Sequence, residues 1–368
     1  MRESIGIIYL ESVLTKRRAL VDELRRLGLS VNILSASDYD RRVEPDRASY
    51  WRCDGHSMHP LKELKAFLQV MYFAFRNRRS KALLTFGTKA SVYGCISQIL
   101  IPNRNFCCVL TGLPLGTHLL AEKKKILAPL IFAIIFGQAK KIFVQNSDDY
   151  EIVREIMSRY KGEIFLMDSS GVDVGEIHEL KKKNAVCFVS RLVGNKGIWE
   201  FLEVAKLVYQ KRPDIKFHIA GPFDDRQGSP KRQDLMNASS YSNLIYHGEV
   251  DHGNEIFDKC DIQLYLSQYM EGVPRTLIEC MERGLAVVTY DWRGCRECVS
   301  GNGKVFDTKA PLEKIADHII TILNDEAGLL QMRKKSRNLA EKRFNDKIVI
   351  KNFTSYLLSH EKPTNVNI

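Results

Sequence analysis

Apolar and polar positions alternate along residues 1–168 in blocks of two lengths. Short runs rich in branched and aromatic residues, Ile5–Leu10, Val31–Leu34, Ala82–Phe86, Phe106–Leu110, Lys141–Gln145 and Glu163–Met167, predict strands. Longer stretches with apolar residues three and four apart predict helices over Leu14–Leu27 (closed by Gly28), Leu61–Arg76, Ala90–Leu100, Leu119–Gln138 and Asp148–Tyr160. Residues 36–58 are polar and read as irregular. Residues 169–184, a Ser-Ser-Gly turn followed by a charged run, read as a linker. A second alternating set follows, with strands at Val186–Ser190, Lys216–Ala220, Asn243–Tyr246, Ile262–Leu266, Ala286–Thr289 and Lys304–Phe306. Its helices are expected at Trp199–Gln210, Pro274–Arg283, Pro311–Asn324, Ala327–Arg343 and Lys347–Ser359, and the last six residues read as frayed. Such alternation predicts mostly parallel, doubly wound sheets. The 368 residues exceed what one core ordinarily serves, so two α/β domains of near-equal size are expected, 1–168 and 185–345, with 346–368 a terminal helix and tail.

The stretch 261–284, DIQLYLSQYMEGVPRTLIECMERG, concentrates the candidate chemistry. Glu271 falls on a loop at the carboxyl end of a strand, where open α/β sheets bind ligands. Pro274 suits the first turn of the helix that follows, and Glu279 lies two turns further on. The amides of Arg275 and Thr276 open that helix at the positive end of its dipole. A carboxylate accepts two hydrogen bonds at once, which suits the vicinal diol of a ribose or hexose. The pattern predicts a site for a phosphorylated sugar, although the same two acids also describe solvated charges on an ordinary α/β unit. A second loop, Ser190–Gly197, places Arg191 and Lys196 five residues apart before a helix. That is a clamp for a diphosphate, or a surface loop with two cations.

These phrases carry a resemblance. EGVPRTLIECMERG resembles the E-x7-E motif, and SRLVGNKG the R-x4-K-G signature, of retaining glycosyltransferases of the GT-B fold, glycosyltransferase family 4. HPLKELKAF (59–67), LLTFGTKASVYG (83–94), LTGLP (110–114), QNSDD (145–149), SSGVDV (169–174) and HIAGPFDD (218–225) are similar to landmarks of its bacterial branch that builds lipid-linked oligosaccharides, O-antigens and capsules. The resemblance implies two Rossmann-like domains facing across a cleft, the first binding acceptor and the second nucleotide sugar, with C-terminal helices packing back toward the first. It implies that Glu279 accepts the ribose hydroxyls and Glu271 those of the donor sugar. Gly272 and the amides from Val273 to Thr276 would touch sugar and phosphate, while Arg191 and Lys196 would hold the departing diphosphate. Gly248 and Val250, in Tyr246–Val250, would lie where such enzymes hold the base, Gly221 would belong to the donor site, and His118 would lie where some relatives contact the sugar, a lone histidine being as readily structural. No side chain is an evident nucleophile, so the implied mechanism is front-face substitution. No cofactor or metal is implied beyond the donor, a UDP-sugar. The first strand-to-helix turn, ESVLTKRR (11–18), departs from the pattern in lacking glycine, which puts its acceptor contacts in doubt. Pro274 likewise removes an amide that other relatives can donate.

Charge adds a partner. Residues 41–141 hold 17 Lys and Arg against 5 Asp and Glu, more than the whole of the chain's net +11. A basic surface there implies an anionic partner. Lys123–Lys125, Ile126–Phe136 and Lys140–Lys141 form the best candidate for peripheral contact with the cytoplasmic face of the inner membrane, and Leu64–Phe75 with Arg76, Arg78 and Arg79 the second. Each cation near anionic headgroups contributes about 1 kcal/mol. Either helix could equally be core with basic ends. The longest apolar run is too short for a bilayer, and Met1–Ser4 leads into a strand without the pattern of a secretory signal. The nine cysteines have no disulfide-like spacing and read as reduced thiols of a cytoplasmic protein. The single CxxC, Cys295–Cys298, has no partner pair. Competing readings are a UDP-sugar epimerase of the same fold and a non-enzymatic basic binding protein. Nucleic-acid motifs are absent from the sequence, as is the G-x-G-x-x-G of a nicotinamide enzyme.

Overall fold

A computed structural model describes residues 3–50, 59–103, 105–113, 127–176, 180–240, 243–250 and 253–359. The chain divides into two compact units, residues 1–170 with 347–368, and residues 171–346.

The first unit runs β1 (Ser4–Tyr9), α1 (Val13–Lys16), α2 (Arg18–Arg26), β2 (Ser30–Ser35), α3 (Asp38–Val43), β3 (Ala48–Tyr50), α4 (Pro60–Arg76), β4 (Ala82–Phe86), α5 (Thr88–Leu100), β5 (Phe106–Leu110), α6 (Leu127–Phe136), β6 (Lys141–Val144), α7 (Ser147–Ile156) and β7 (Glu163–Leu166). Its seven strands make one parallel sheet in the order β3-β2-β1-β4-β5-β6-β7. Alternate side chains of β1 serve two cores: Ile5 and Ile7 pack with Leu20, Val21 and Leu24 of α2, and Ile8 with Ala66, Val70 and Phe73 of α4. A parallel sheet buried on both faces in this way needs continuous apolar strands, which is why they were legible.

The second unit runs β8 (Ala185–Val189), a 3-10 turn at Gly194–Lys196, α8 (Ile198–Lys211), β9 (Lys216–Ala220), α9 (Arg232–Ser239), β10 (Leu244–Tyr246), α10 (Asn254–Phe257), β11 (Ile262–Tyr265), α11 (Arg275–Glu282), β12 (Ala286–Tyr290), β13 (Gly303–Phe306), α12 (Leu312–Asn324) and α13 (Glu326–Lys342). The parallel order is β10-β9-β8-β11-β12-β13, so the direction of winding reverses between β8 and β11. Two buried ion pairs brace this sheet from behind. Asp261 accepts from Arg333 at 2.8 Å and from the amides of Lys183 and Ala185, while Arg337 holds Glu282 at 2.9 Å. Burial raises the Asp261 carboxyl above its ordinary range and lowers the Arg333 guanidinium. Part of the stretch expected as a linker is held in this unit: Val172 bridges Asn345 in parallel, and the Gly175 amide donates to Glu282.

The last described helix, α14 (Asp346–Leu358), lies against the first unit's sheet from Lys347 onward. Phe353 packs on Phe143 with ring centroids 4.7 Å apart, and Tyr356 stacks on Phe165 at 5.0 Å. Lys141 corrects one expectation. Its side chain is buried, and Nζ donates to the carbonyls of Tyr356 at 2.5 Å and Ser359 at 2.8 Å. The end of a helix leaves carbonyls without intrahelical donors, and an ammonium offers three protons to them. Lys141 is therefore a helix-terminating residue and not a cation at a membrane surface.

Two further differences share a cause. The helix expected over Leu14–Leu27 breaks at Arg17, and the stretch 36–58, expected as irregular, contains α3 and β3 before residue 51. Asp40 of α3 is fully buried and accepts from the Ser12 hydroxyl and the Val13 and Leu14 amides, so it caps α1 from across the sheet edge. A cap supplied from 27 residues away leaves no local signal. The short helices α9 and α10 were also not anticipated. Of the expected helix at Leu119–Gln138, residues 119–126 lie outside the described residues, as do Lys123–Lys125 and His118.

Candidate functional site

The loops after β8 and β11 adjoin at the point where the second sheet reverses its winding, the position where open α/β sheets leave a crevice. The Gln268 amide donates to the Asn195 carbonyl at 2.9 Å, joining the two loops. Gly197 makes the approach possible. It takes φ +88° to start α8, and a Cβ there would run into the Leu266 carbonyl.

Three side chains meet at this junction. Lys196 donates to both oxygens of Glu271 at 3.2 and 3.3 Å and to the Tyr265 hydroxyl at 3.1 Å. Tyr265 in turn donates to Glu271 at 2.8 Å. Lys196 and Glu271 side chains are only 10% and 18% exposed, so the pair is largely shielded from solvent screening. Burial, followed by the Glu271 charge, pushes the Tyr265 phenol well above its ordinary range, so it stays a donor. The Lys196 ammonium also lies 5.0 Å from the Tyr269 ring centroid, a cation–π contact.

Arg191 stands on the same loop with its side chain 41% exposed and its guanidinium 3.3 Å from Asp224. Asp224 also pairs with Arg226, whose guanidinium reaches the Tyr269 hydroxyl at 3.1 Å. Gly221 brings this loop in: a Cβ on it would strike the Ser190 carbonyl. The Gly221 amide donates to the Gly248 carbonyl at 2.8 Å, so two residues expected at the donor site are joined. Val250 packs at the edge of the core nearby in sequence. His218 and His247, just before them, share a 2.8 Å hydrogen bond, and burial with mutual repulsion lowers His218 to about 4.

The turn into α11 is as expected except at its start, where Pro274 is the N-cap residue and lies before the first helical residue. Gly272 and Val273 are buried beneath the helix mouth. The Thr276 hydroxyl donates to the Val189 carbonyl at 2.6 Å, locking α11 to the end of β8. Arg275 is exposed and its guanidinium holds Glu279 at 2.6 Å, the i,i+4 pair of one helical face. The first-turn amides of α11 have no intrahelical acceptors by position, so this end presents donors and partial positive charge.

Tyr265, Asp224, Arg226 and Tyr269 were not anticipated. Tyr265 gave one signal, a polar-tipped residue at the carboxyl end of the strand that leads to Glu271. Cys295 and Cys298 are buried, and burial pushes both thiols above their ordinary range, so neither has thiolate character. Among the described residues no three His, Cys, Asp or Glu side chains are grouped as metal ligands.

Comparison with known proteins bears on the second unit and on the fold of the chain. Residues 174–343, nearly all of the second unit, match the family model described as glycosyl transferases group 1. Over the whole length the chain resembles Anabaena Alr3699/HepE, solved in complex with UDP and glucose, with TM-score 0.72, 14% identity, and 96% and 99% of the two chains covered. It also resembles the pneumococcal O-GlcNAc transferase GtfA in complex with UDP and GlcNAc, with TM-score 0.74, 12% identity, and 97% and 98% covered. These likenesses show a GT-B fold.

Among curated relatives, one is the N,N'-diacetylbacillosaminyl-diphospho-undecaprenol alpha-1,3-N-acetylgalactosaminyltransferase of Campylobacter jejuni. It is 28% identical over 159 residues, which are 43% of this chain and 40% of that protein, so the chain matches less than half of its length. Another is the capsular polysaccharide biosynthesis glycosyltransferase CapM of Staphylococcus aureus, 20% identical over 348 residues, 90% of each.

Proposed function

We propose that the chain is a retaining glycosyltransferase that moves a hexose or N-acetylhexosamine from a UDP-sugar to a lipid-linked sugar, carried on undecaprenyl diphosphate, or to a growing surface polysaccharide. The observation that carries this reading is the meeting of Lys196, Tyr265 and Glu271 at the winding reversal of the second sheet, with Arg191 on the same loop and the α11 amides beside it. Cations and amides suit a diphosphate, and a carboxylate fixed by a tyrosine and a lysine suits sugar hydroxyls. The names of the relatives, on capsule and lipid-diphosphate substrates, support the acceptor class.

In this reading the acceptor hydroxyl attacks the anomeric carbon from the face the phosphate leaves. The bond from that carbon to the phosphate oxygen breaks as the new glycosidic bond forms, and the departing phosphate takes the hydroxyl proton. Arg191 and Lys196 stabilise the charge that builds on the diphosphate, so no metal is required. Glu279 would receive the ribose hydroxyls by exchanging part of its bond to Arg275. The reaction would take place at the cytoplasmic face of the inner membrane, by peripheral association.

The test is donor hydrolysis by purified protein over a panel of UDP- and GDP-sugars, with and without EDTA, beside Glu271→Ala. Release of one nucleoside diphosphate, insensitive to EDTA and lost in the variant, is the expected result. Absence of UDP and GDP binding by calorimetry would remove the reading.

A further inference from the structure

Among the described residues, the first unit exposes most of its large apolar side chains on one set of neighbouring helices. Leu61, Leu64, Leu68, Tyr72 and Phe75 of α4 recur at three- and four-residue spacing and all face outward, Leu61 and Tyr72 more than 60% exposed. Their opposite side, Ala66, Val70, Phe73 and Ala74, is buried against the sheet, so the helix is apolar on both faces. Alongside it α5 exposes Ile99 and Leu100, and α6, packed on α5, exposes Leu130, Ile131 and Ile134. Isolated exposed apolar residues are ordinary in a folded chain, whereas a stripe of five along one helix, with further exposed apolar residues on two helices packed in series beside it, marks a contact surface.

The charges beside the α4 stripe have one sign, while the acids nearest the field, Glu151 and Glu155, lie on α7 at the far border of α6. At 100° per residue Lys65, Arg76 and Lys62 fall along one border of the α4 stripe. Arg78 follows the helix with its guanidinium 4.2 Å from the Phe75 ring, and Arg76 donates to the Tyr72 hydroxyl at 3.2 Å, so both lie over the rings of the stripe. Glu63 is the single acid in the described parts of α4, α5 and α6. It faces inward, to Lys89 at 2.8 Å and Tyr93. A second copy of the same face would set cation against cation about a twofold axis. A bilayer with anionic headgroups satisfies both features, taking the aliphatic and aromatic tips into its interface and the cations at its phosphates.

We infer that the outer face of α4, α5 and α6 seats on an anionic lipid surface, with the α4 stripe Leu61–Phe75 entering the interface and Lys62, Lys65, Arg76 and Arg78 meeting headgroup phosphates. This rests on the proposed function for the lipid nature of the acceptor and names the surface that would bring the first unit to it. Lys141, formerly counted among the membrane cations, has no part in it.

The experiment is co-sedimentation of the full chain with vesicles of phosphatidylcholine alone and of phosphatidylcholine with 30% phosphatidylglycerol (about the anionic fraction that gives a strongly negative surface), at low and high salt. Leu64→Gln/Leu68→Gln/Tyr72→Gln and, separately, Lys65→Glu/Arg76→Glu change only exposed positions. Expected are salt-sensitive binding of the native chain to the anionic vesicles and a loss of roughly tenfold or more in each variant, with UDP affinity unchanged. Native-like vesicle binding by the variants, or no binding by the native chain, overturns the inference. So does a concentration-dependent dimer that the glutamine variant abolishes, since a second copy would then cover the face. UDP binding measured on the same samples keeps a failure of this surface distinct from a failure of the transferase reading.

Discussion

Lys196 and Glu271, 75 residues apart in the chain, form a nearly buried ion pair whose two charges are both tied to the Tyr265 hydroxyl. The pair joins a group proposed for the diphosphate to a group proposed for the sugar. On the proposed function, donor binding would divide the hydrogen bonds of Lys196 between Glu271 and phosphate. Removing the lysine would take away the donor proposed for the departing diphosphate and leave Glu271, largely buried, with the Tyr265 hydroxyl but no counter-charge. Lys196→Ala is expected to lower kcat/KM for donor by about a hundredfold or more, and Tyr265→Phe, which keeps both charges, by about tenfold. Steady-state kinetics on both variants check this, and equal effects would show that the hydroxyl and the ammonium act as one group.

Glu279 is expected to act on binding alone. Its carboxylate lies two turns along α11 from the helix mouth and is held by Arg275. A contact to the ribose is the same before and during the transfer, so Glu279→Ala should raise KM for the UDP-sugar about tenfold with kcat within about threefold. A fall in kcat without change in KM would place Glu279 at the reacting sugar instead.

The His218–His247 pair predicts acid sensitivity. Burial and the neighbouring imidazole lower His218 from 6.5 to about 4. A folded-state value below the unfolded one means that the unfolded chain binds the proton first as pH falls. The stability is complete above about pH 6.5 and is lost progressively down to about pH 4, by roughly 2 kcal/mol between pH 7 and pH 5. Urea unfolding at several pH values is the measurement, and His218→Gln should flatten the dependence. An unchanged slope in the variant would assign the effect to other groups.

Lys141→Met is expected to destabilise the first unit by about 2–3 kcal/mol, because the carbonyls of Tyr356 and Ser359 lose a buried charged donor. Vesicle binding, measured on the folded variant, should equal that of the native chain. A stable variant that no longer sediments with vesicles would restore Lys141 to the surface.

The brace behind the second sheet should behave differently when broken and when replaced. Asp261→Ala leaves Arg333 as an uncompensated buried charge and is expected to cost about 3–5 kcal/mol. Asp261→Leu combined with Arg333→Met should recover part of that loss in denaturant unfolding. Additive losses in the double variant would mean that the two side chains act through their separate backbone bonds.

Strands were legible in the sequence because both sheets are covered on two faces, which forces unbroken apolar runs such as Ala82–Phe86 and Ala185–Val189. The loops that carry Arg191, Lys196 and Glu271 were legible from the strand and helix pattern, and the roles proposed for these residues came from the resemblance of their phrases to known motifs. What the sequence did not disclose depends on distant partners. Asp40 capping α1, Tyr265 accepting from Lys196, and Lys141 closing α14 each answer a polar group supplied from elsewhere in the fold. Lys141 was misread for that reason, since a lysine beside an apolar run looks alike whether its charge meets water or a helix end. The exposed stripe on α4 lies between these cases. Its apolar period was visible, but its width hid which half of the helix faces the sheet.

The return of α14 to the first unit has a consequence for synthesis. Residues 171–346 are contiguous and can complete their sheet as soon as they leave the ribosome. The first unit is discontinuous, and the aromatic rings of Phe86, Phe143 and Phe165 wait for Phe353 and Tyr356, which emerge 191 to 267 residues later. The unit begun first is therefore finished last. Throughout that interval an unsealed apolar face is open to chaperones, to neighbouring nascent chains, and to any truncation that removes the final helix.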